Sequence, residues 1–170
     1  MSRTQNLTIA RGLRRAKKLE GQIAERAKRL AGCSSWQSGR KPAFDFVSVL
    51  GEHDERIEEL SSLRVAIARA NALTTVELDG EQVTLTALIR RMQELKGRAK
   101  LMEGLNLQQG VETVDRGYDR STGTYLQTEV EYKAVWTEPE RASNIEAIRD
   151  ELEQLSELIE EANHRTVLEL

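Results

Sequence analysis

The sequence predicts a mainly α protein of two long, antiparallel, coiled-coil-like helical hairpins with small β-hairpin arms. Charged residues make up 31% of the chain, aromatic residues only 4%, and proline occurs twice. This balance is typical of helical bundles rather than β-sandwiches. Apolar residues also recur at steps of three and four in four segments, which is the period of a helix seam. The 170 residues suit one domain, 1–170.

The first hairpin is predicted from two helical patterns, at about 4–31 and 44–70. Gly32 supplies a stop signal, and the connecting segment contains Trp36. The seam of the first helix is predicted to be Ile9, Leu13, Ala16, Ile23, Ala27 and Leu30. The seam of the second is predicted to be Leu50, His53, Ile57, Leu60 and Ile67.

The second hairpin is predicted from two further seams. Thr84 is expected to cap helix 3, and Thr137 with Glu140 is a capping-box signal for helix 4. The seam of helix 3 is Leu85, Leu88, Met92, Leu95, Ala99 and Met102. The seam of helix 4 is Ile145, Ile148, Leu152, Leu155, Ile159 and Ala162.

Two β-hairpins are predicted between the helices. Asp79-Gly80 lies between β-branched residues and favours a tight turn, because both residues tolerate positive φ. A second hairpin is expected with arms at 111–118 and 129–136, and the chain ends in a short strand.

An internal similarity predicts two pseudo-repeats, 1–78 and 84–170. Residues 67–78 and 159–170 share an Ile, an Ala-Asn pair, a Thr and a final Glu-Leu. Asn71 and Asn163 are each expected to end a helix in the left-handed conformation. The β arms that follow would pair with each other or with a neighbouring subunit.

The order of these features resembles the septicolysin-like family of small bacterial coiled-coil proteins. The matching features are Arg69-x-Asn71, Asp79-Gly80, Thr84-Leu85-Thr86, Tyr118-x-Arg120-Ser121, the strand around 129–136 and Asn163. The resemblance covers roughly residues 55–170 and implies a helical, self-associating cytoplasmic protein of unestablished function.

Charge is distributed unevenly along the chain. Residues 1–41 hold 11 Lys/Arg and two Asp/Glu, although the whole chain has a net charge of −3. A positive helix is the first requirement of phosphate binding. One alternative is therefore a nucleic-acid-binding module that uses the basic helix, through Arg11, Arg14, Arg15, Lys17 and Lys18. The other interpretation is neutralisation by the acidic faces of helices 2 and 4.

A second alternative is a small-ligand or enzyme site in the 116–125 loop. Arginines bind phosphates or carboxylates and tyrosines stack on planar groups, so the candidate residues are Arg116, Tyr118, Arg120 and Tyr125. The competing interpretation is a hairpin tip whose arginines pair with acidic neighbours. With two histidines and one cysteine, we expect no catalytic set, no metal site and no cofactor.

The sequence therefore does not determine a function. The leading hypothesis is a non-enzymatic structural or interaction protein that forms a homo-oligomer, either a dimer or a larger closed ring. Narrow helix pairs seldom bury their whole apolar surface alone. No segment is apolar enough for a membrane span, and the lone Cys33 favours the cytoplasm.

Overall fold

The computed structural model describes residues 7–121 and 123–170. This part of the chain folds into α-helices and two-stranded antiparallel sheets. The helices are α1 (Ile9–Cys33), α2 (Phe46–Leu73), α3 (Leu85–Glu103) and α4 (Glu138–Arg165). The strands are β1 (Thr75–Leu78), β2 (Glu81–Thr84), β3 (Gly110–Asp119) and β4 (Thr124–Tyr132). The predicted mainly helical fold with small β-hairpins is confirmed.

Contacts divide the chain into two compact units. Unit 1 holds the chain up to Arg91 together with Leu155–Leu170, and unit 2 holds Met92–Gln154. Helices α3 and α4 each contribute residues to both units.

In unit 1, α1 and α2 form an antiparallel pair. Gly12 near the start of α1 lies against Ile67 near the end of α2, and Arg26 further along α1 binds Glu52 near the start of α2. The side chain of Thr8 caps α1, so Leu7 and Thr8 precede the helix although the predicted range included them; the predicted start at residue 4 lies outside the described residues.

The predicted seam of this pair is wrong in part. Leu13, Leu50 and Ile57 are 47%, 38% and 43% exposed, and Ala27 is exposed as well, although all four were expected in the seam. Four predicted seam residues are buried as expected, namely Ile9, Ala16, Leu60 and Ile67. They are joined in the interior by Gly12, Leu19 and Cys33 of α1 and by Val49, Leu63 and Ala66 of α2. Because α2 carries apolar residues on two faces, the helical period alone did not identify the face that packs on α1.

The β1–β2 hairpin links α2 to α3 as predicted. Asp79 and Gly80 form its turn with φ values of 53° and 83°, the positive values that a tight hairpin turn requires. Leu78 is buried, and Leu85 opens α3 with a fully buried side chain.

The end of the chain pairs with its beginning inside unit 1. Val167 bridges Thr8 in an antiparallel manner, and the Leu168 amide donates to the Leu7 carbonyl at 2.8 Å. The helix ends predicted at Asn71 and Asn163 are wrong, since both asparagines lie within helices that continue for two further residues. A threonine, Thr74 or Thr166, follows the last residue of each helix.

Unit 2 has its own small core. Ala99 and Met102 of α3 pack on Ile145 and Ile148 of α4, with Leu95, Trp136 and Leu152 beside them. These positions confirm the predicted seams of both helices. The predicted strand at 129–136 ends early, because the chain leaves the sheet after Tyr132 and brings Trp136 to this core.

The β3–β4 ribbon projects most of its side chains into solvent. Its register pairs Gly110 with Tyr132 and Asp119 with Thr124, with an irregularity between Asp115 and Tyr118. Gly117 lies in that irregularity with a φ of 108°. In the part of the chain that the structure describes, no helix is both long and apolar enough to cross a membrane.

Candidate interaction surfaces

The basic helix α1 is neutralised along one side only. Arg15 donates to Glu59 through Nε at 3.0 Å, and Arg26 donates to Glu52 at 3.2 Å. Hydrogen bonds from Arg15 and Arg56 lower the pKa of Glu59 below its ordinary value of 4.5. These contacts are those expected if the acidic face of α2 offsets the charge of α1.

The other predicted nucleic-acid contacts lie in solvent. Arg11, Arg14, Lys17 and Lys18 are exposed, and among the described residues none of them forms an ion pair. The Arg14 Nε donates to the Ala10 carbonyl of the same helix at 3.4 Å. A strip of exposed positive charge thus remains on α1, and its Lys17 also lines a groove beside Arg64 of α2.

The predicted ligand residues lie near the tip of the β3–β4 ribbon. The rings of Tyr118 and Tyr125 meet edge to face with centroids 5.2 Å apart. Both tyrosines are more than half exposed. Arg116 in β3 and Arg120 in the turn after β3 are also exposed. The structure therefore brings the two tyrosines together in an open arrangement rather than an enclosed site.

The α1–α2 pair carries an exposed apolar face at a position that the seam pattern did not predict. Two adjoining grooves of about 560 and 410 Å³ run along it and share Arg64 and Ala68. We call it the open face; it comprises Leu13, Lys17 and Ile23 of α1 with Ile57, Ser61, Arg64, Val65 and Ala68 of α2. Val65 is 66% exposed. Apolar residues off the main seam of α2, such as Val65, were the sequence signal for it.

One ion pair crosses the open face. The Nη2 atom of Arg64 donates to a carboxylate oxygen of Glu20 at 2.6 Å, and both side chains are at least half exposed. A charged pair inside an apolar surface is typical of interfaces in which charge fixes the register.

Two smaller clefts flank the point where α2 and α4 end in unit 1. One is lined by Ala66, Arg69, Ala70, Leu73, Thr74, Thr166, Val167 and Glu169 and holds about 130 Å³. The other is lined by Thr74, Thr75, Val76, Glu77, Leu158, Glu161, Ala162, Arg165 and Thr166 and holds about 390 Å³. Most of these lining residues occupy matching positions in the two similar segments.

Unit 2 contains an apolar cleft of about 500 Å³. It lies between residues 105–108 and 132–136, with Trp136 as its largest side chain and Lys133 as its cation. Lys133 already pairs with Glu131 at 3.8 Å. Among the described residues, no three His, Cys, Asp or Glu side chains converge to hold a metal ion.

These surfaces belong to a mainly helical protein with small antiparallel sheets. The chain belongs to DUF6847, a family of unknown function, whose model matches residues 16–168. No curated protein matches the chain.

One solved structure is similar in fold. It is described as the crystal structure of a functionally unknown conserved protein from Corynebacterium diphtheriae. The TM-score is 0.74 with 22% identity, over 95% of this chain and 98% of the other. At that identity the similarity concerns the fold alone.

Proposed function

We propose that this protein is a non-enzymatic structural or interaction protein that assembles into a closed homo-oligomer. The observation that carries the proposal is the open face. Leu13, Ile57 and Val65 line its two grooves and are 47%, 43% and 66% exposed. Contiguous exposed apolar surface of this kind marks interaction sites. Covering it releases about 25 cal/mol for each Å² removed from water.

The same proposal includes coiled-coil-like packing between subunits and a cytoplasmic location. The packing is supported by the four-three spacing of exposed residues on α2, and the location by the presence of a single cysteine, Cys33. The resemblance to the septicolysin-like family is consistent with this proposal and stays a prediction.

Light scattering after size-exclusion chromatography tests the assembly. We expect a mass that is a small multiple of 19.2 kDa and that persists at high salt, because apolar burial is not screened. Replacing Val65 with Glu should reduce the mass to that of one chain. Val135, which is 93% exposed in unit 2, offers the matched control, and Val135→Glu should leave the assembly intact. A monomeric wild-type chain would refute the proposal.

The basic strip of α1 supports one alternative function, a nucleic-acid-binding module. Arg11, Arg14, Lys17 and Lys18 are exposed, and among the described residues they form no ion pair. Such binding would weaken steeply with salt, since it releases counterions. Titration of a fluorescent duplex at two salt concentrations, with Arg14→Glu and Lys18→Glu against wild type, would reveal it.

The ribbon tip supports the other alternative, a small-ligand or enzyme site. Tyr118 and Tyr125 present adjacent rings, and Arg116 in β3 and Arg120 in the following turn add positive charge nearby in sequence. A planar anion is the ligand class that such a set would take. Quenching of tyrosine fluorescence by a planar dicarboxylate, absent in Tyr125→Ala, would support this alternative.

A further inference from the structure

We propose that a second copy of this chain covers the open face, with α2 packed antiparallel against α2 of the partner about a two-fold axis near Ile57 and Ser61. This inference rests on the proposed self-association and names its partner surface and geometry. It is carried by the order of residues along one stripe of α2.

The stripe has the spacing of a helix–helix seam. Its members follow one another at steps of four, three, four, three and four residues. They are Leu50, Asp54, Ile57, Ser61, Arg64 and Ala68. The last four line one groove of the open face, and the first two continue the same stripe toward the start of α2. Leu50 and Ile57 are 38% and 43% exposed, so the stripe is available to a partner.

The stripe is complementary to its own reverse. Suppose that two copies of α2 pack antiparallel, with residue 59 of one beside residue 59 of the other. A residue that lies n positions before residue 59 in one copy then faces the residue that lies n positions after it in the other copy. Leu50 then faces Ala68 of the other copy, and Asp54 faces Arg64. A parallel pairing would set Asp54 against Asp54 and Arg64 against Arg64, which like-charge repulsion disfavours. Charge order therefore selects the antiparallel arrangement and its register.

Both charged groups have capacity for the new contact. Arg64 uses Nη2 for Glu20, and within the described contacts its Nε and Nη1 donors are unused, so one guanidinium can bridge two carboxylates. Asp54 is 63% exposed, and its contact is with the neighbouring His53 at 3.2 Å. The Glu20–Arg64 pair would orient Arg64 toward the partner.

The length of the surface suits a stable dimer. Helix α2 has 28 residues, which corresponds to about 42 Å at 1.5 Å per residue. Two adjacent helices about 20 Å wide in total would present on the order of 800 Å² per subunit, the size of a standard protein interface.

Charge reversal and mixing test this geometry with the full chain. Asp54→Arg alone would set two guanidinium groups against each other, and Arg64→Asp alone would oppose two carboxylates, so light scattering should give each variant as a monomer. An equimolar mixture should recover the dimer mass, because both cross-subunit contacts can then join opposite charges. Glu58→Arg is the control: Glu58 is exposed on α2 one residue beyond Ile57 and off the stripe, and this variant should remain dimeric.

The outcomes separate this inference from the proposed function. Monomeric single variants with a dimeric mixture support the arrangement. A wild-type oligomer that both Asp54→Arg and Arg64→Asp leave intact would overturn the arrangement and retain self-association. Monomeric variants whose mixture stays monomeric would also overturn it, with circular dichroism confirming that both variants fold. A monomeric wild-type chain would overturn both.

Discussion

The hydroxyl of Thr74 donates a hydrogen bond to the hydroxyl of Thr166 at 3.4 Å, across 92 positions of sequence. Each threonine follows the last turn of a helix. The Thr74 amide donates to the Ala70 carbonyl and the Thr166 amide to the Ala162 carbonyl, both at 2.9 Å. The ends of α2 and α4 therefore meet in unit 1 with the same cap geometry.

The two threonines also make equivalent contacts with the first residues of α3 and α1. The Leu85 amide at the start of α3 donates to the Thr74 carbonyl, and the Ile9 amide at the start of α1 donates to the Thr166 carbonyl, both at 3.0 Å. Leu85 and Ile9 are both fully buried. The similarity between residues 67–78 and 159–170 thus corresponds to a local approximate two-fold arrangement about the two threonine hydroxyls.

Removing one of these hydroxyls should cost a modest amount of stability. Thr74→Val keeps the shape and the backbone caps but leaves the Thr166 hydroxyl without this partner, so we expect a loss of about 1 kcal/mol in the free energy of unfolding. Chemical denaturation measures it. Thr75→Val, at the adjacent exposed strand position, should be neutral or slightly stabilising. Equal losses for both variants would contradict a role for the hydroxyl contact.

Gly12 and Gly21 provide a second, matched comparison within α1. A Cβ on Gly12 would lie 2.6 Å from the Leu168 Cδ1 and 3.4 Å from the Ile67 Cδ1, whereas a Cβ on Gly21 would meet nothing within 4 Å. Gly21→Ala should therefore stabilise by about 0.5–1 kcal/mol through helix propensity alone. Gly12→Ala gains the same propensity but overpacks the contact, so we expect a net loss of about 1 kcal/mol.

A double variant tests the cause of that loss. Leu168→Val shortens the side chain that a Cβ at position 12 would meet. The penalty of Gly12→Ala should then be smaller in the Leu168→Val background than in the wild type. Thermal unfolding of the wild type, both single variants and the double variant closes the cycle. If the two stability changes were simply additive, the contact with Leu168 would not be the cause of the loss in Gly12→Ala.

Sequence patterns predicted α3 and α4 well because their apolar residues lie on one face. Leu88, Met102 and Leu155 are buried as the seam required. The Asp79-Gly80 turn was also predictable, since few residues accept positive φ at both positions. These features depend on residues that are close together in the sequence, so a single sequence is enough to predict them.

The pair α1–α2 was less predictable because its packing depends on tertiary context. Leu13 and Ile57 satisfy the helical period equally well whether they face the partner helix or solvent. Helix α1 also continues past the predicted stop at Gly32 to Cys33, which is 1% exposed although the predicted seam did not include it. The open face could be identified only once α1 had been placed against α2, and with it the surface on which the proposed function depends.

The pH dependence of stability should include a contribution from Glu59. Hydrogen bonds from Arg15 and Arg56 lower its pKa in the folded chain below 4.5, its ordinary value. The stabilisation is therefore complete above pH 4.5 and is lost as the pH falls through the lower folded value. Glu59→Gln should flatten this acid-side loss when unfolding is measured from about pH 6 to about pH 3. Glu58→Gln, at an exposed neighbouring position, should keep the wild-type slope, and identical slopes in all three proteins would argue against the ion pairs.

The start of α4 depends on the capping box that the sequence predicted. A Glu140 carboxylate oxygen accepts from the Thr137 amide at 2.7 Å, and the Glu140 amide donates to the Thr137 hydroxyl at 3.4 Å. Thr137→Ala should lower local stability by about 1 kcal/mol. Amide hydrogen exchange in the first turn of α4 should then accelerate roughly fivefold.

Ser143 lies in the same helix, is exposed, and has no part in the cap. Ser143→Ala should therefore leave exchange in the first turn unchanged or slow it slightly, because alanine is the better helix former. Glu140→Gln keeps an acceptor for the Thr137 amide and should fall between wild type and Thr137→Ala. If Thr137→Ala and Ser143→Ala exchanged at the same rate, packing of Trp136 on the unit 2 core, rather than the cap, would be what fixes the start of α4.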